Sequence, residues 1–291
     1  MFDGLVVVDK PAEWTSHDVV AKLRKAYGQR RVGHAGTLDP DATGVLLVGL
    51  GRATRLLRFL QETTKAYRGS IVFGIATSTL DASGAVLDQR PMVLTREEVS
   101  RAATDNFLGE IEQLPPMVSA VQVGGRRLHE LARAGETVER APRRVRVDRF
   151  EVEEFEPGAY PSARVMVECS SGTFIRSLAA DLGVALGGCA HLASLRRIRV
   201  GSFALDEAHS LDDVCAQPEA MLLSPAVAMR DLESVVVDDE QARAIAHGMA
   251  FHASAWETPS DGPFAMVDAD GTLLAVYERR GAAIKPAVVL S

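Results

Sequence analysis

The apolar and polar positions of the first forty residues predict a strand, a helix and a loop. Residues 5–11, LVVVDKP, form a short apolar run that ends at a proline, which is typical of a buried strand. A helix is predicted next, because Thr15 and Asp18 have capping-box spacing and Gly28 suits the position after the last turn. A glycine-rich loop over 33–44 follows this helix.

The same patterns continue to about residue 200. Apolar runs predict strands at 45–50, 65–77, 145–153 and 163–169. Helical spacing predicts helices at 52–61, 95–109 and 173–186, of which the first is basic and the second has a capping box at its start. Strands and helices do not alternate regularly, so an α+β domain with a largely antiparallel sheet fits better than a doubly wound fold.

Segment 115–144 differs in kind from its surroundings. It starts at a proline pair, contains a glycine pair and is rich in arginine, while its apolar face, formed by Leu128 and Leu131, is too narrow for a core helix. Long loops are either functional or disordered. Two interpretations therefore stay open, a mobile basic arm that closes on a ligand and a surface loop with one or two helical turns.

The composition changes near residue 231. Beyond it the chain is acidic, and short strand-like runs are separated by glycine, proline and aspartate. A chain of 291 residues is long enough for a large domain and a small one, each with its own core. We expect a catalytic domain over 1–230 and a small β-rich domain over 231–291.

The net charge of −7 is unusual for a nucleic-acid-binding protein, but the charge is unevenly distributed. Residues 202–291 hold 5 Lys+Arg and 15 Asp+Glu, a net charge of −10, which leaves a net charge of +3 for residues 1–201. Residues 120–149 carry eight arginines against four acidic residues. The composition therefore permits RNA binding without demonstrating it.

Several classes of protein are disfavoured. The N-terminus has no basic leader and no later segment reaches membrane-spanning length, so a cytoplasmic protein without membrane contact is expected. The three cysteines, at 169, 189 and 215, fit neither a disulfide framework nor a zinc knuckle and are expected to be buried thiols. No metal-ligand cluster, P-loop or dinucleotide fingerprint appears, so we expect neither metal nor cofactor.

The loop G-H-A-G-T-L-D-P-D-A-T-G, residues 33–44, is the most informative stretch. Its glycines let the backbone approach a ligand closely, and Pro40 biases Asp39 away from helical geometry. His34 is an aromatic ring that suits stacking on a base. Three basic residues flank the loop, namely Arg30, Arg31 and Arg52.

The first eight residues of this loop closely resemble the active-site motif of the TruB family of tRNA pseudouridine synthases. Further motifs of the family follow in order: D-K-P at 9–11, T-S-H-D at 15–18, K-A-Y at 65–67, T-S-T-L-D-A-S-G at 77–84, P-P-M-V-S-A at 115–120, S-S-G-T-F-I-R at 170–176 and S-L-R-R at 194–197. The resemblance covers roughly residues 1–205. It implies a pseudouridine synthase fold, with helices around a central mixed sheet, and a PUA-like C-terminal domain.

The resemblance also implies roles for single residues. Asp39 corresponds to the essential catalytic carboxylate. Tyr67 is expected to stack on the flipped uracil and to take the proton from C5, Arg176 to pair with Asp39, and His34 to fill the space left by the extruded nucleotide. Further substrate-binding residues are expected to be Gly33, Asp81, Leu195 and Lys10.

The implied reaction explains the missing cofactor signatures. The target uridine is flipped out of a stacked loop, N1–C1′ is broken, the base turns while bound, and C5 is joined to C1′, so nothing is oxidised or hydrolysed. The carboxylate of Asp39 either attacks the sugar or base or removes a sugar proton, and both routes stay open. A guanidinium such as that of Arg176 suits a buried carboxylate.

The family further implies that the chain modifies uridine 55 in the T stem-loop of tRNA, and we expect a monomer without a protein partner. We expect the basic helix at 52–61 and the basic arm to hold the RNA by shape and phosphate contacts. Two alternatives remain: a non-catalytic tRNA-binding or folding factor, and a guide-RNA-dependent synthase that needs partner proteins. The chain departs from the family pattern at Phe174, where Tyr is usual, and at Gln122 and Leu128, where Lys and Tyr are common. Loss of that tyrosine hydroxyl removes any hydrogen bond that it makes.

Overall fold

The computed structural model describes residues 2–119, 121–136, 138–256 and 261–290. Its strands are β1 (Gly4–Lys10), β2 (Val32–Ala35), β3 (Thr43–Leu50), β4 (Lys65–Phe73), β5 (Ile75–Thr77), β6 (Val86–Gln89), β7 (Gly109–Gln113), β8 (Gln122–Val123), β9 (Arg126–Arg127), β10 (Arg143–Glu156), β11 (Ser162–Cys169), β12 (Ala190–Val200), β13 (Phe203–Ala204), β14 (His209–Ser210), β15 (Glu233–Val236), β16 (Phe251–His252), β17 (Phe264–Val267), β18 (Leu273–Arg280) and β19 (Ala283–Val289).

The α-helices are α1 (Ser16–Ala26), α2 (Leu57–Gln61), α3 (Arg96–Phe107), α4 (Leu128–Arg133), α5 (Ile175–Ala185), α6 (Leu211–Ala216), α7 (Pro225–Ala228) and α8 (Asp239–Ala246), with 3₁₀ turns at Gly51–Leu56 and Leu205–Glu207. The α+β class predicted from the sequence is confirmed. Among the described helices, none combines the length and the apolar character that crossing a bilayer demands.

The helix starts follow the capping patterns of the sequence. At α1 the Thr15 side chain accepts a hydrogen bond from the Asp18 backbone amide while the Asp18 carboxylate accepts one from the Thr15 amide. Thr95 and Glu98 make the same reciprocal pair at α3. Such a pair satisfies two backbone donors that have no partner within the helix. Gly28, at φ +60°, follows the end of α1 as predicted.

The chain forms two compact units, one of residues 1–62 with 200–291 and one of residues 63–199. In the first unit, β1 pairs with β3 in antiparallel register from Gly4 opposite Leu50 to Lys10 opposite Gly44. Strand β2 adds to β3, and β14 lies parallel to β1 on its other side. The strands β1 and β3 are almost fully buried, as expected for central strands with few polar residues.

The first unit also contains a β-rich C-terminal sheet with the strand order β15-β17-β18-β19-β16. All its neighbouring pairs are antiparallel except β15 and β17, which are parallel. One hydrophobic cluster joins this sheet to the first 62 residues; its buried members include Leu5, Leu47, Ala53, Leu56, Leu60, Val267, Leu273, Val288 and Leu290. The C-terminal strands therefore share a core with the start of the chain.

The basic segment 52–61 is helical, as predicted, but its arginines contact the chain itself. The contacts are Arg52 Nη1 to the Leu290 carbonyl at 2.5 Å, Arg55 Nη1 to the Val289 carbonyl at 2.6 Å, and Arg58 Nη2 to the Glu278 carboxylate at 3.1 Å. Arg52 also pairs with Asp3 through Nε at 2.9 Å. These guanidinium groups hold the C-terminal strands, and the expectation that the segment also holds RNA stays a prediction.

The second unit is built on a sheet with the strand order β12-β4-β11-β10-β7. Strands β4 and β11 are antiparallel from Lys65 opposite Cys169 to Val72 opposite Ser162, and β10 is antiparallel to both β11 and β7. Helices α3 and α5 belong to the same unit and contact each other. This sheet positions Tyr67 on a central strand, and α5 begins one residue before Arg176.

The arm over 115–144 has more structure than a loop, apart from residues 120 and 137, which lie outside the described residues. Strands β8 and β9 form a hairpin, and the Leu128 amide, at the start of α4, donates to the Val121 carbonyl at 2.8 Å. Leu128 and Leu131 are buried, at 0% and 3% exposure. The apolar face of this segment packs one helix of six residues, which agrees with the second interpretation, a segment with one or two helical turns.

Candidate active site

The backbone on the N-terminal side of Asp39 is held by the hydroxyl of Ser16. Ser16 Oγ accepts a hydrogen bond from the Leu38 amide at 3.0 Å and donates one to the Leu38 carbonyl at 3.3 Å. Ser16 is the first residue of α1 and is 1% exposed. Because a hydroxyl both donates and accepts, one small side chain satisfies the amide and the carbonyl of the buried residue Leu38. The position of Asp39 is thereby tied to α1.

The backbone on the C-terminal side of Asp39 is held by Lys10. Its ammonium donates to the carbonyls of Pro40 at 2.9 Å, Pro11 at 2.9 Å and Trp14 at 2.5 Å. Lys10 has 0% exposure, so three neutral carbonyls solvate a buried charge. The resemblance implies that Lys10 binds substrate. In the structure Lys10 is buried and fixes the course of the chain around Asp39, and its expected contact with substrate stays a prediction.

Glycines shape the same loop. Gly36 and Gly44 have φ angles of +86° and +101°, a region that favours glycine. Gly33 has a different reason: a Cβ added there would lie 3.3 Å from Cδ1 of Leu57. Gly33 therefore lets α2 pack closely on β2, and its expected contact with substrate stays a prediction.

His34 lies on the opposite face of β2 from the Leu57 contact, because successive residues of a strand point to opposite faces. Its ring meets the ring of His17 edge to face, with centroids 5.5 Å apart and an interplanar angle of 81°. His17 is exposed at the start of α1. The two imidazole rings thus pack edge to face beside the loop, and the expected stacking of His34 in place of a base stays a prediction.

In the second unit, Arg176 is buried at 4% exposure and its guanidinium is bound on several sides. Nη1 donates to the Thr79 carbonyl at 2.9 Å, Nη2 donates to the Val118 carbonyl at 2.8 Å, and Nη1 lies 3.4 Å from Oδ2 of Asp81. The guanidinium is thus fixed in one plane, as its fork geometry allows. Its expected pairing with Asp39 stays a prediction.

Asp81 sits in a tight turn that fixes its carboxylate. Oδ1 accepts hydrogen bonds from Thr79 Oγ1 at 2.6 Å, Ser83 Oγ at 2.6 Å and the Ser83 amide at 3.1 Å. The turn is tied to β12, because the Ala82 amide donates to the Leu192 carbonyl at 3.1 Å. The structure therefore brings two of the predicted residues, Asp81 and Arg176, into one ion pair.

Tyr67 and Leu195 lie on the same face of the sheet of the second unit. Tyr67 is on β4, opposite Val167 of β11, and is 7% exposed. A Cβ added at Gly69 would lie 3.4 Å from Cδ1 of Leu195, and Gly69 and Tyr67 are two residues apart on one strand. Leu195 therefore packs over the strand face that carries the Tyr67 ring, as expected for two residues that line one pocket.

Comparison with known proteins identifies the family. Residues 24–175 match the model described as TruB family pseudouridylate synthase (N terminal domain). Residues 176–236 match tRNA pseudouridylate synthase B C-terminal domain, and residues 232–291 match tRNA Pseudouridine synthase II, C terminal. The chain belongs to the TruB family. It is therefore a pseudouridine synthase, which is an isomerase.

Curated relatives match over their full length. The protein named tRNA pseudouridine synthase B from Thermobifida fusca (strain YX) is 46% identical over 100% of this chain and 99% of its own length. The protein of the same name from Mycobacterium sp. (strain KMS) is 47% identical over 99% of this chain and 96% of its own length. The TruB-family assignment thus extends through the C-terminal sheet.

Solved structures agree on the fold. A chain in the structure described as Crystal Structure of a Cbf5-Nop10-Gar1 Complex superposes with a TM-score of 0.76 at 26% identity, over 99% of this chain and 85% of that one. A chain in the structure of an H/ACA RNP bound to a substrate RNA containing 2′-deoxyuridine gives a TM-score of 0.75 at 24% identity, with the same coverage. The predicted pseudouridine synthase fold of this TruB-family chain is confirmed.

One buried lysine of the second unit has an unusually low pKa. Lys65 is 5% exposed on β4, opposite Cys169 of β11, and donates to the Thr63 carbonyl at 2.6 Å. Burial, and then the nearby charge of Arg197, lower the pKa of Lys65 to about 8. Burial raises the pKa of the Cys169 thiol to about 11. Cys169 is fully buried as predicted, whereas Cys189 and Cys215 are half-buried.

Most arginines on the sheet of the second unit are neutralised. We call this surface the paired-arginine face; its ion pairs are Arg68 with Glu153, Arg146 with Asp148, Arg149 with Glu151, Arg164 with Glu154 and Arg199 with Glu168. Exposed pairs of this kind contribute little stability, yet they cancel the local charge. This face of the TruB-family chain is therefore a poor phosphate-binding surface.

A different basic surface lies at the end of α1, and we call it the α1 patch. Its members are exposed and consist of Arg24, Lys25, Arg30 and Arg31. The described part of the chain brings no carboxylate within ion-pair distance of these four groups, and the Arg24 guanidinium is held by the Val32 carbonyl at 3.1 Å. The patch leads directly into β2, which carries His34.

Two residues with clear structural roles were missed by the sequence reasoning. Ser16 belongs to the T-S-H-D motif, and Gln113 lies just before the P-P-M-V-S-A motif. Their positions next to family motifs were the available signal. The described residues contain no group of three or more metal-ligating side chains placed to hold a metal ion.

Proposed function

We propose that this protein converts uridine 55 in the T loop of tRNA to pseudouridine, with Asp39 as the essential catalytic carboxylate. The proposed enzyme acts in the cytoplasm as a monomer and requires no metal, cofactor or protein partner. Both the substrate and the role of Asp39 go beyond the family assignment. The proposal rests on the names of the relatives, on the loop around Asp39 and on the basic surfaces.

The substrate class follows from the relatives. Proteins that are 46% and 47% identical over almost the whole chain are named tRNA pseudouridine synthase B. Similarity of this extent covers both the glycine-rich loop and the C-terminal sheet. A tRNA substrate is therefore the simplest proposal for this chain.

The observation that carries the role of Asp39 is the double restraint of its backbone. Ser16 holds the peptide unit of Leu38 and Lys10 holds the carbonyl of Pro40, while Asp39 itself is half-buried. A group that reacts with a bound nucleotide gains from being held in position before the substrate arrives. A surface turn without a function does not need a buried lysine and a buried serine on its two sides.

The residues of the second unit are proposed to serve the same reaction. Tyr67, whose ring shares a sheet face with Leu195, is proposed to stack on the flipped uracil and to accept the C5 proton. Arg176, fixed by two carbonyls and by Asp81, is proposed to keep Asp39 ionised. His34, held by His17, is proposed to take the place of the extruded base.

The α1 patch, together with the basic arm, is proposed to bind the RNA backbone. Unpaired cations release counterions from a polyanion, whereas cations already bound to carboxylates contribute less. The α1 patch has no carboxylate partner in the described ranges, and the arginines at 52–58 are occupied by the C-terminal strands. We therefore assign RNA binding to the α1 patch rather than to the basic helix.

The boundary between the two predicted domains, at residues 230 and 231, also remains our proposal. It is supported by the family match that begins at residue 232.

The decisive experiment compares two acidic residues of one loop. Purified wild type, Asp39→Asn and Asp41→Asn are incubated with an unmodified tRNA transcript, and pseudouridine is mapped at nucleotide resolution. We expect wild type and Asp41→Asn to modify position 55, and Asp39→Asn to lose at least about 10³-fold in rate while still binding tRNA, as for removal of an essential group. Asp41 is exposed and is the matched control.

Other results would contradict the proposal in distinct ways. Wild type that binds tRNA but forms no pseudouridine would indicate a binding or folding factor. The resemblance to a chain from a Cbf5-Nop10-Gar1 complex gives a second candidate, a synthase that depends on a guide RNA and partner proteins. Activity of the purified chain on a bare T stem-loop would exclude that candidate.

A further inference from the structure

A buried glutamine joins the last strand before the arm to the helix that carries Arg176. Gln113 is the final residue of β7 and is 1% exposed. Its Nε2 donates to the Phe174 carbonyl at 3.0 Å, and its Oε1 accepts from the Phe174 amide at 2.7 Å. The amide nitrogen and the amide oxygen of the Gln113 side chain thus both form hydrogen bonds with the backbone of Phe174.

Phe174 is the residue immediately before α5, whose first turn contains Arg176 and Ser177. No side chain caps this helix start by itself. The start of α5 is instead held by residues outside the helix, namely Gln113 and the segment that follows it. In that segment, the Leu114 carbonyl accepts a hydrogen bond from Ser177 Oγ at 3.0 Å. Arg176 Nη2 donates to the carbonyl of Val118, a few residues further along the same segment.

These contacts link two functional parts of the second unit. The segment 113–118 leads into the arm, and the segment 174–177 places the Arg176 guanidinium. Four hydrogen bonds connect the two segments, two of them from Gln113. A guanidinium displaced by about 1 Å loses much of its effect on a reacting group, so a restraint of this kind matters for catalysis.

We propose that Gln113 is a positioning residue for the reaction, which fixes the start of α5, and through it Arg176, to the root of the arm. This proposal rests on the proposed function, because it assumes that Arg176 serves catalysis. Gln113 has no exposed surface with which to bind RNA. Its loss therefore affects the rate of the bound substrate more than the binding of tRNA.

The amide group of Gln113 allows a sharp test. Gln113→Leu removes both hydrogen bonds, so the Phe174 amide loses its acceptor while the Phe174 carbonyl keeps only the hydrogen bond from the Leu178 amide at 3.1 Å. Gln113→Glu keeps the shape, but an ionised carboxylate faces the Phe174 carbonyl with no proton to donate, whereas a protonated carboxyl group both donates and accepts as the amide does. Burial favours the protonated form of that introduced group.

We measure kcat and KM for a tRNA transcript between pH 6 and pH 8.5 (roughly the range in which a buried carboxyl group titrates). Gln113→Leu is expected to lower kcat by about tenfold or more at every pH, with KM changed by less than about threefold. Gln113→Glu is expected to approach the wild-type kcat at the acid end and to fall away as the pH rises. Tyr277→Phe, which removes a buried hydroxyl bond to the Met249 carbonyl in the C-terminal sheet, is the control and keeps its kcat.

Assays are run well below the thermal midpoint of each variant, so that loss of folded protein does not enter the rates. A wild-type kcat in Gln113→Leu would overturn the proposal, and so would a loss expressed mainly in KM. If Gln113→Leu does not fold, Gln113→Glu decides alone: a ratio to wild type that does not change with pH overturns the proposal. An inactive wild type would instead refute the proposed function.

Discussion

Two buried lysines of this chain, Lys10 and Lys65, lie in different surroundings. Lys10 donates to three carbonyls, whereas the pKa of Lys65 is lowered to about 8 by burial and by the positive charge of Arg197. Burial disfavours the charged form of an ammonium. The protonation of Lys65 is therefore coupled to folding.

Lys65 predicts a particular pH dependence of stability. Its pKa falls from 10.5 in the unfolded chain to about 8 in the folded protein, so the folded state loses the proton first. The destabilisation is complete below pH 8 and is relieved as the pH rises toward 10.5, by about 3 kcal/mol at most. Denaturant unfolding of wild type and Lys65→Met at several pH values measures it. The free energy of unfolding of wild type should rise relative to the variant, and a constant difference would contradict the assignment.

At the residue scale the sequence predicted local hydrogen bonds better than contacts between distant residues. The Thr15 and Asp18 capping box was recognisable because it is local, with both partners within one turn. The roles of Ser16 and Gln113 were not recognisable, because their partners, Leu38 and Phe174, lie 22 and 61 residues away. The contact of Lys10 with the Pro40 carbonyl was not recognisable for the same reason, since the two residues lie 30 positions apart.

At the scale of elements, the α1 patch predicts where electrostatic binding resides. Replacing Lys25, Arg30 and Arg31 by Gln together should raise KM for tRNA about tenfold at 0.1 M salt and make log K less dependent on log salt by about 0.7 to 0.9 per lost phosphate contact. The physical reason is the absence of carboxylate partners within the described residues. Activity at several salt concentrations measures both effects.

The paired-arginine face supplies the matched control for this experiment. Replacing Arg68, Arg149 and Arg164 by Gln removes the same number of positive charges. Because each of these groups is bound to a carboxylate, we expect little change in KM or in the salt dependence. Equal effects of the two triple substitutions would show that only the net charge of the protein matters and that the α1 patch is not a binding surface.

The elements themselves were largely predictable. Clear apolar patterns predicted the strands at 45–50 and 163–169. They also predicted the helices α1, α3 and α5, whose patterns extend over more than one helical turn and have recognisable ends. The arm was harder, because Leu128 and Leu131 pack a helix of only six residues. The basic helix at 52–61 was predicted correctly as an element. The contacts of its arginines were not predictable, because their partners lie on strands more than 200 residues further along the chain.

At the scale of the whole molecule, the shared core predicts how the first unit unfolds. The chain has two tryptophans, Trp14 in the first 62 residues and Trp256 in the C-terminal sheet region. In the single-tryptophan variants Trp256→Phe and Trp14→Phe, fluorescence follows each region separately. Because one hydrophobic cluster spans both regions, we expect thermal midpoints within about 2 °C of each other. Leu273→Ala, within this cluster, should cost about 2 to 5 kcal/mol and lower both midpoints together.

Two separate transitions would contradict this expectation. A C-terminal sheet that melts well before the remainder would show that it folds independently and that the Arg52 and Arg55 contacts are weak. The sequence gives no direct sign of the shared core, since a change to acidic composition near residue 231 indicates a separate domain. Only the positions of apolar residues on strands that are distant in sequence reveal it.

The side chain of Gln113 imitates a peptide group beside Phe174, a position at which the resemblance implies that tyrosine is usual. Its two hydrogen bonds form a ring with the main chain of Phe174 and do not involve the benzyl ring. Every amino acid except proline offers the same backbone groups at this point. A tyrosine in place of Phe174 is therefore expected to leave the arginine two residues later where it is.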